Sequence, residues 1–175
     1  YVAPAYAGML LAEQGHPVTK WTNGRDPILA LRRGAELWAW VNAGKTVEAR
    51  HPRALLACEW PEGVLDNFRP STLARWDLDP AALARERGLV WVSLRSEVGE
   101  VSFDLLAQAR AWMDFAPWMP FYLGDTAAGL WMAFKLLAAR EPGHYVVGHA
   151  SCLVKLIEGE LVVPVARDGQ TIPWD

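Results

Sequence analysis

An α/β domain with a largely parallel sheet is predicted by three observations. Short apolar runs recur along the chain, notably around Val64 and Leu65 and over Leu89 to Leu94. The segments between them carry helix-start signals or helical apolar spacing. The 175 residues, 52% hydrophobic and 21% charged, suit one globular unit with a core of its own. Alternation of helices with short strands is what builds a parallel sheet.

The elements follow in order. Residues 5 to 14 are good helix formers and Gly15 is placed to stop them, after which Pro17 and Val18 to Trp21 read as a strand. The loop Thr22 to Ile28 contains Arg25 and the turn pair Asp26-Pro27. Between residues 29 and 50 a short helix precedes a strand-like Leu37 to Val41, on which Trp38 and Trp40 share one face, and then a turn at Gly44-Lys45. Lys45 is placed to reach a phosphate, or to lie idle on the surface.

Ala54 to Trp60 reads as helical, and Pro61-Glu62-Gly63 turns the chain into the strand ending at Leu65. Ser71 is the expected cap of a helix over Thr72 to Trp76, and Asp79-Pro80 starts another, because Asp accepts from free amides and Pro is preset for the first helical position. Asp77 and Asp79 are better explained as helix-end residues than as a carboxylate pair. Phe103 to Phe115 has an apolar face of Leu105, Leu106, Ala109, Trp112 and Met113. A long helix runs from Gly124 through Arg140, and Gly143 to Gly159 reads as glycine turn, strand and helix.

The net charge of −3 supplies no basic field for nucleic acid. No apolar run approaches the roughly 20 residues that cross a bilayer, so neither nucleic acid nor membrane is an expected partner. Cys58 and Cys152 sit among apolar neighbours, as buried thiols do in a reducing cytoplasm, the expected location. Most of the ten tryptophans, Trp112, Trp118 and Trp131 among them, are expected in the core, though that many can also line a greasy cleft. His144, His149 and Cys152 lie close in sequence, but with only two cysteines packing explains them better than a metal or Cys-His site, and no metal is expected.

The loop Asn67-Phe68-Arg69-Pro70, with Arg75 beyond it, puts an amide, an aromatic plate and two guanidinium groups at a strand end. That edge of an open α/β sheet is where ligands sit, and a ring with fixed cations suits a nucleotide. A Phe plugging the core beneath a polar loop accounts for the same residues.

The stretch NFRPSTLARWDLDPAAL (Asn67 to Leu83) resembles the signature of the class III CoA-transferases, which include carnitine CoA-transferase, formyl-CoA transferase and acyl-CoA racemases. Ala3 to Trp21, Asn42 to Ala49, Phe103 to Ala109 and Gly124 to Arg140 also fall in that family's order, so the resemblance covers most of the chain. It implies a Rossmann-like large domain over residues 1 to 175, with the family's opening strand and its C-terminal portion absent from this sequence, the latter lost or supplied by another chain. It implies transfer of CoA from an acyl-CoA thioester to a carboxylic acid, with coenzyme A as substrate or ligand.

By the same resemblance Asp125 is the nucleophile that forms a mixed anhydride and then an aspartyl-CoA thioester. Val2, Ala3, Arg25, Asn67, Phe68, Arg69 and Arg75 hold adenine and phosphates, and Tyr122, Gly124 and the Pro117 to Tyr122 loop border the acyl group. A carboxylate is a competent nucleophile toward a thioester. As a bare residue, Asp125 is equally explained as a helix cap worth about 1 kcal/mol.

The family's acidic position after the first strand is Thr22, and its glycine-rich loop is replaced by Arg95 to Ser102. No His lies between His51 and His144, where the racemase branch has its acid-base partner. The resemblance also implies a homodimer, or a companion chain if this is one half of a split transferase. A catalytically inactive CoA-binding or partner-binding module is the alternative function.

Overall fold

The computed structural model describes residues 2–57, 59, 61–97, 103–111, 122–158, 165–167 and 170–172, and side chains as far as residue 156. Expectations for Tyr1, Cys58, Trp60, residues 98–102, Trp112, Met113, Trp118 and the rest of the loop before Tyr122 lie outside them.

Helix α1 (Val2–Glu13) ends at Gly15, whose φ of 86° is the left-handed turn the sequence anticipates. Strand β1 (Thr19–Thr22) pairs in parallel with β2 (Thr46–Ala49), which the sequence reading passed over, and helix α2 (Gly34–Val41) connects them. The expected strand over Leu37 to Val41 is therefore helical. Five residues of apolar alternation do not distinguish the two periods, and the helix buries Val41 beside Ile28, Val2 and Ala5 while Trp38 packs against them. Trp40 is half exposed and lies over Tyr6, ring centroids 5.8 Å apart.

The second sheet has five strands in the order β3 (Gly63–Asp66), β4 (Val90–Arg95), β5 (Gly143–Gly148), β6 (Val165–Arg167) and β7 (Gln170–Ile172). The first three are parallel and the last two add antiparallel. One face carries Val92, Leu94, Tyr145 and Val147, packed against Ala3, Ala7 and Leu11 of α1 and Ala127, Ala128, Met132 and Ala133 of helix α6 (Leu123–Ala138). Helices α1 and α6 approach closely because Gly129 has no side chain: a Cβ there would meet the Ala3 carbonyl oxygen at 2.6 Å. The other face carries Trp91, with Leu73 and Leu83 from helices α3 (Pro70–Arg75) and α4 (Pro80–Arg87).

Helix α3 begins two residues earlier than expected: Pro70 takes the first helical position and Arg69, not Ser71, is the cap residue. Asp79 caps α4 as anticipated, accepting from the amides of Ala81 and Ala82 at 2.9 and 3.0 Å. The helical expectation for Ala54 to Trp60 becomes a short 3-10 turn over Pro52–Leu56. Helix α5 (Asp104–Ala111) turns Ala107 and Gln108 inward and leaves Leu105 and Leu106 exposed, reversing the expected apolar face. Its inner surface meets α6 and helix α7 (His149–Glu158), where small and polar groups are what fit. Cys152 is a buried free thiol, and burial pushes its ionisation well up. Among the described residues no helix is long and apolar enough to cross a membrane.

Lys45 faces neither a phosphate nor solvent. Its Nζ donates to the carbonyls of Ala5 and Val41, both at 2.5 Å, and lies 3.2 Å from Asn42 Oδ1. Burial, with Lys20 adding repulsion and Asp26 opposing it, lowers its pKa from 10.5 to about 7. In the unfolded chain the amine protonates near its ordinary value, so as pH falls the unfolded state binds the proton first. Stability from this group is full above about 10.5, declines toward about 7 and is then level. The melting temperature of the parent relative to Lys45→Met is expected to fall between about pH 9.5 and about pH 7. A difference that is flat across that range rejects the inward, titrating lysine.

Candidate active site

The C-terminal ends of β3, β4 and β5 lie along one edge, since Asp66 pairs with Ser93 and Arg95 with Gly148. Ligands of open α/β sheets bind outside this edge. Two clusters of polar groups gather there.

The first is centred on Asp125. It is the third residue of α6, not its cap; Tyr122 occupies the cap position. The capping explanation of Asp125 is thereby corrected. Its own amide donates to Asp104 Oδ1 at 2.8 Å, and Gln108 Nε2 donates to Asp104 Oδ2 at 2.6 Å. Asp104 thus ties the start of α5 to the start of α6. Burial raises the Asp104 pKa, and the nearby Asp125 charge adds to that, while the bonds it accepts pull it down.

His149, the first residue of α7, brings Nε2 to 3.1 Å from Asp125 Oδ1, with the two side chains only 2% and 7% exposed. The starts of three helices therefore converge on one carboxylate, each presenting the positive end of its dipole. Gly124 makes this possible, because a Cβ there would sit 3.0 Å from Asp104 Oδ1 and 3.5 Å from His149 Nε2.

Asp104, Asp125 and His149 also present ligand atoms within 4.8 Å of one another, a donor set of the type that binds divalent metals. Both oxygens of Asp104 already accept bonds from the protein, so its established work here is positioning. His149 was set aside in the sequence as packing, grouped with Cys152. The structure separates the two: Cys152 belongs to the apolar core, and His149 belongs to Asp125. A signal was available, since a His opening a helix directly after a glycine-flanked strand stands at the ligand-bearing edge.

The second cluster is centred on Asp66, which was missed as a site residue. Its Oδ1 accepts from the Phe68 amide at 2.8 Å and from Arg95 Nη1 at 2.9 Å. Its Oδ2 accepts from Trp91 Nε1 at 2.5 Å and from the Ser93 hydroxyl. Ser93 Oγ in turn contacts His144 Nε2 at 2.9 Å and accepts from Arg95 Nη2 at 2.8 Å. The network fixes the first turn of the Asn67 to Arg69 loop.

The nucleotide residues expected from sequence divide. Asn67, Phe68, Arg69 and Arg75 share the loop and helix after β3, with both arginines exposed. Phe68 is partly buried and meets Trp76 edge to face, centroids 4.9 Å apart, which fits the plug as well as the plate. Arg25 is exposed in the turn after β1, beside the Lys20–Asp26 ion pair at 2.9 Å. Val2 and Ala3, expected beside adenine or phosphate, are 1% and 0% exposed, with their side chains in the apolar cores. Tyr122 is 38% exposed at the cap position of α6, and Gly124 is buried in the first turn of that helix. A cleft of about 480 Å³ opens between α3 and α4 over Arg95 and His144, on the Asp66 side rather than at Asp125.

No protein-family model matches this chain, and no curated protein does. Among solved structures, it is similar to the crystal structure of a hypothetical protein (Rv3272) from Mycobacterium tuberculosis, with a TM-score of 0.73 and 24% identity. That match covers 91% of this chain and 54% of the other. An Asp-to-Ala mutant of the same protein matches with a TM-score of 0.72 and 22% identity, over 90% and 53% of the two chains. The chain spans about half the length of these structures, and the likeness shows a shared α/β fold.

Proposed function

We propose that the chain is the nucleophile-bearing domain of an acyl-CoA:carboxylate CoA-transferase. The observation that carries this reading is a nearly buried carboxylate, Asp125, held at the junction of three helix starts with its backbone amide bonded to Asp104 and His149 Nε2 3.1 Å from one oxygen. Preorganisation of this kind is what a carboxylate nucleophile requires, because the attacking oxygen must be aimed while the rest of the group stays still.

In the reaction Asp125 attacks the acyl-CoA carbonyl, the carbon–sulfur bond breaks and CoA leaves as thiolate, giving a mixed anhydride. The thiolate then attacks the aspartyl carbonyl and releases the donor acid. The acceptor carboxylate repeats the sequence in reverse. Arg69 and Arg75 supply exposed cations for the CoA phosphates, with Asn67 and Phe68 beside them. Incubation with acetyl-CoA followed by intact-mass measurement tests the reading: a CoA-linked adduct supports it.

The tight enclosure of Asp125 and His149, with the open cleft lying elsewhere, favours a second reading, a module that binds CoA without turning it over. Calorimetric binding of CoA with no covalent adduct is its signature.

The partner expected from the family reading is a second copy or a companion chain. Leu130, Phe134 and Leu137 make a stripe at helical spacing on α6 and are 57%, 49% and 53% exposed, which supports it. Sedimentation of the protein alone is expected to show a dimer at micromolar concentration; a monomer there removes the homodimer and leaves the companion chain.

A further inference from the structure

We propose that β1 and β3 are the two rims of a strand-binding slot, and that its occupant is an extended apolar peptide that pairs with both rims and joins the two sheets into one.

The register fixes which backbone groups face the slot. In a parallel ladder the N–H and C=O of one residue point to one side and those of the next residue to the other. The Thr46 amide donates to the Val18 carbonyl, so Val18, Lys20 and Thr22 direct their backbone groups to β2. Thr19 and Trp21 direct theirs away from it. In the same way the Val90 amide donates to the Glu62 carbonyl, so Val64 and Asp66 bond to β4 while Gly63 and Leu65 turn outward. Among the described residues, none of the backbone groups of Thr19, Trp21, Gly63 and Leu65 has a hydrogen-bond partner. Trp21, Gly63 and Leu65 are half-buried, and backbone groups withdrawn from water require partners.

Both rims lie between the same two apolar layers. Val18 and Leu65 pack on the cluster that contains Ala3, Ala7 and Leu11 of α1. Trp21 and Val64 pack on the cluster of Leu55, Leu73 and Leu83. Yet β1 pairs only with β2, and β3 only with β4 on its other side. Neighbouring strands lie about 4.8 Å apart, so one inserted strand bridges rims that are about 10 Å apart.

The slot specifies its occupant. Rims that offer alternating donors and acceptors select extended backbone free of proline; a helix satisfies its own groups and leaves the rims unpaired. Apolar layers above and below exclude charge on either face of the strand, which selects a continuous Val- and Ile-rich run, as in strands buried on both sides. The rims are four residues long, so a run of about five residues fills them. Once seated, the strand connects the turn carrying Arg25, after β1, to the loop carrying Asn67, Phe68 and Arg69, after β3, through one sheet. None of this depends on the CoA reading.

The test is residue-resolved amide hydrogen exchange, with a peptide of about five Val and Ile residues flanked by lysines as the probe. In the protein alone, the amides of Thr19, Trp21, Gly63 and Leu65 are expected to exchange faster than those of Lys20 and Val64, which donate to β2 and β4. Millimolar peptide is expected to slow the first four at least about 10-fold, and the same peptide with alternate amides N-methylated is not, since it keeps the side chains and loses the donors to one rim. Trp21 and Leu65 amides as protected as Lys20 and Val64 without peptide, at every protein concentration, mean that β1 and β3 close on each other and overturn the proposal. Protection that rises with protein concentration alone makes a second copy the occupant and overturns it too. No added protection from the peptide, or equal protection from its N-methylated form, also overturns it.

Discussion

Replacing Asp125 with Asn is expected to remove the CoA-linked adduct altogether and to lower acyl exchange by at least about 10³-fold, leaving the fold intact. The expectation has two parts. An amide is a far weaker nucleophile than a carboxylate, so neither anhydride nor thioester can form at this position. The structural role of the residue, by contrast, survives: its backbone amide still donates to Asp104, and an Asn side chain fills the same space beside His149. Intact-mass measurement with acetyl-CoA reads the chemistry, and near-ultraviolet circular dichroism together with the melting temperature reads the fold. An adduct that persists in Asp125→Asn places the chemistry on another residue. A large drop in melting temperature without any parental adduct makes Asp125 a structural group.

The largest expected loss of stability comes from Asp66, whose replacement by Ala is predicted to cost about 3–5 kcal/mol. Asp66 is 3% exposed and accepts from four donors, two on each oxygen. Removing it leaves the Trp91 indole and the Ser93 hydroxyl without their shared acceptor, and Arg95 with a guanidinium 14% exposed and its carboxylate gone. A buried charge whose partner is deleted costs far more than the pair contributes when intact.

Asn is not a conservative replacement here, because all four partners donate and the amide nitrogen would face donors. Asp66→Asn is therefore expected to lose most of the same stability, in contrast to Asp125→Asn. Urea unfolding of the three proteins distinguishes these cases; a loss below about 1 kcal/mol for Asp66→Ala means that water replaces the carboxylate without strain. The consequence reaches function, since the same oxygen that holds Arg95 also holds the Phe68 amide. Loss of Asp66 releases the first turn of the loop that carries the proposed CoA contacts.

Elements whose signals lie within a few neighbouring residues were legible in the sequence. Helix α1 and its Gly15 terminator, the Asp79-Pro80 start of α4, the apolar strands β3 and β4, and the succession of β5 and α7 all follow from local patterns. Where the local pattern was short or double-valued, packing decided. Trp38 and Trp40 alternate as a strand would, yet the segment is helical because that arrangement delivers Val41 to the small core beside Ile28. Leu105 and Leu106 suggested the buried face of α5, but the helix presents Asp104, Ala107 and Gln108 to its neighbours, since the adjoining helix starts need an acceptor and small side chains. Lys45 read as a surface cation because nothing in its neighbourhood shows that the Ala5 and Val41 carbonyls converge on it.

The candidate site divides in the same way. By itself the sequence determined the α/β alternation, the polar Asn67 to Arg69 loop at a strand end and the placement of Asp125 in the first turn of a helix. Those are properties of short segments, set by backbone preference and side-chain periodicity. Only the tertiary structure decided that His149 and Asp104 meet Asp125, and that Asp66 gathers Trp91, Ser93 and Arg95. These partners are brought together by strand register and by helices packed closely enough for Gly124 and Gly129 to matter, and contacts of that kind are set by how the elements pack, not by the neighbours of each residue in the chain.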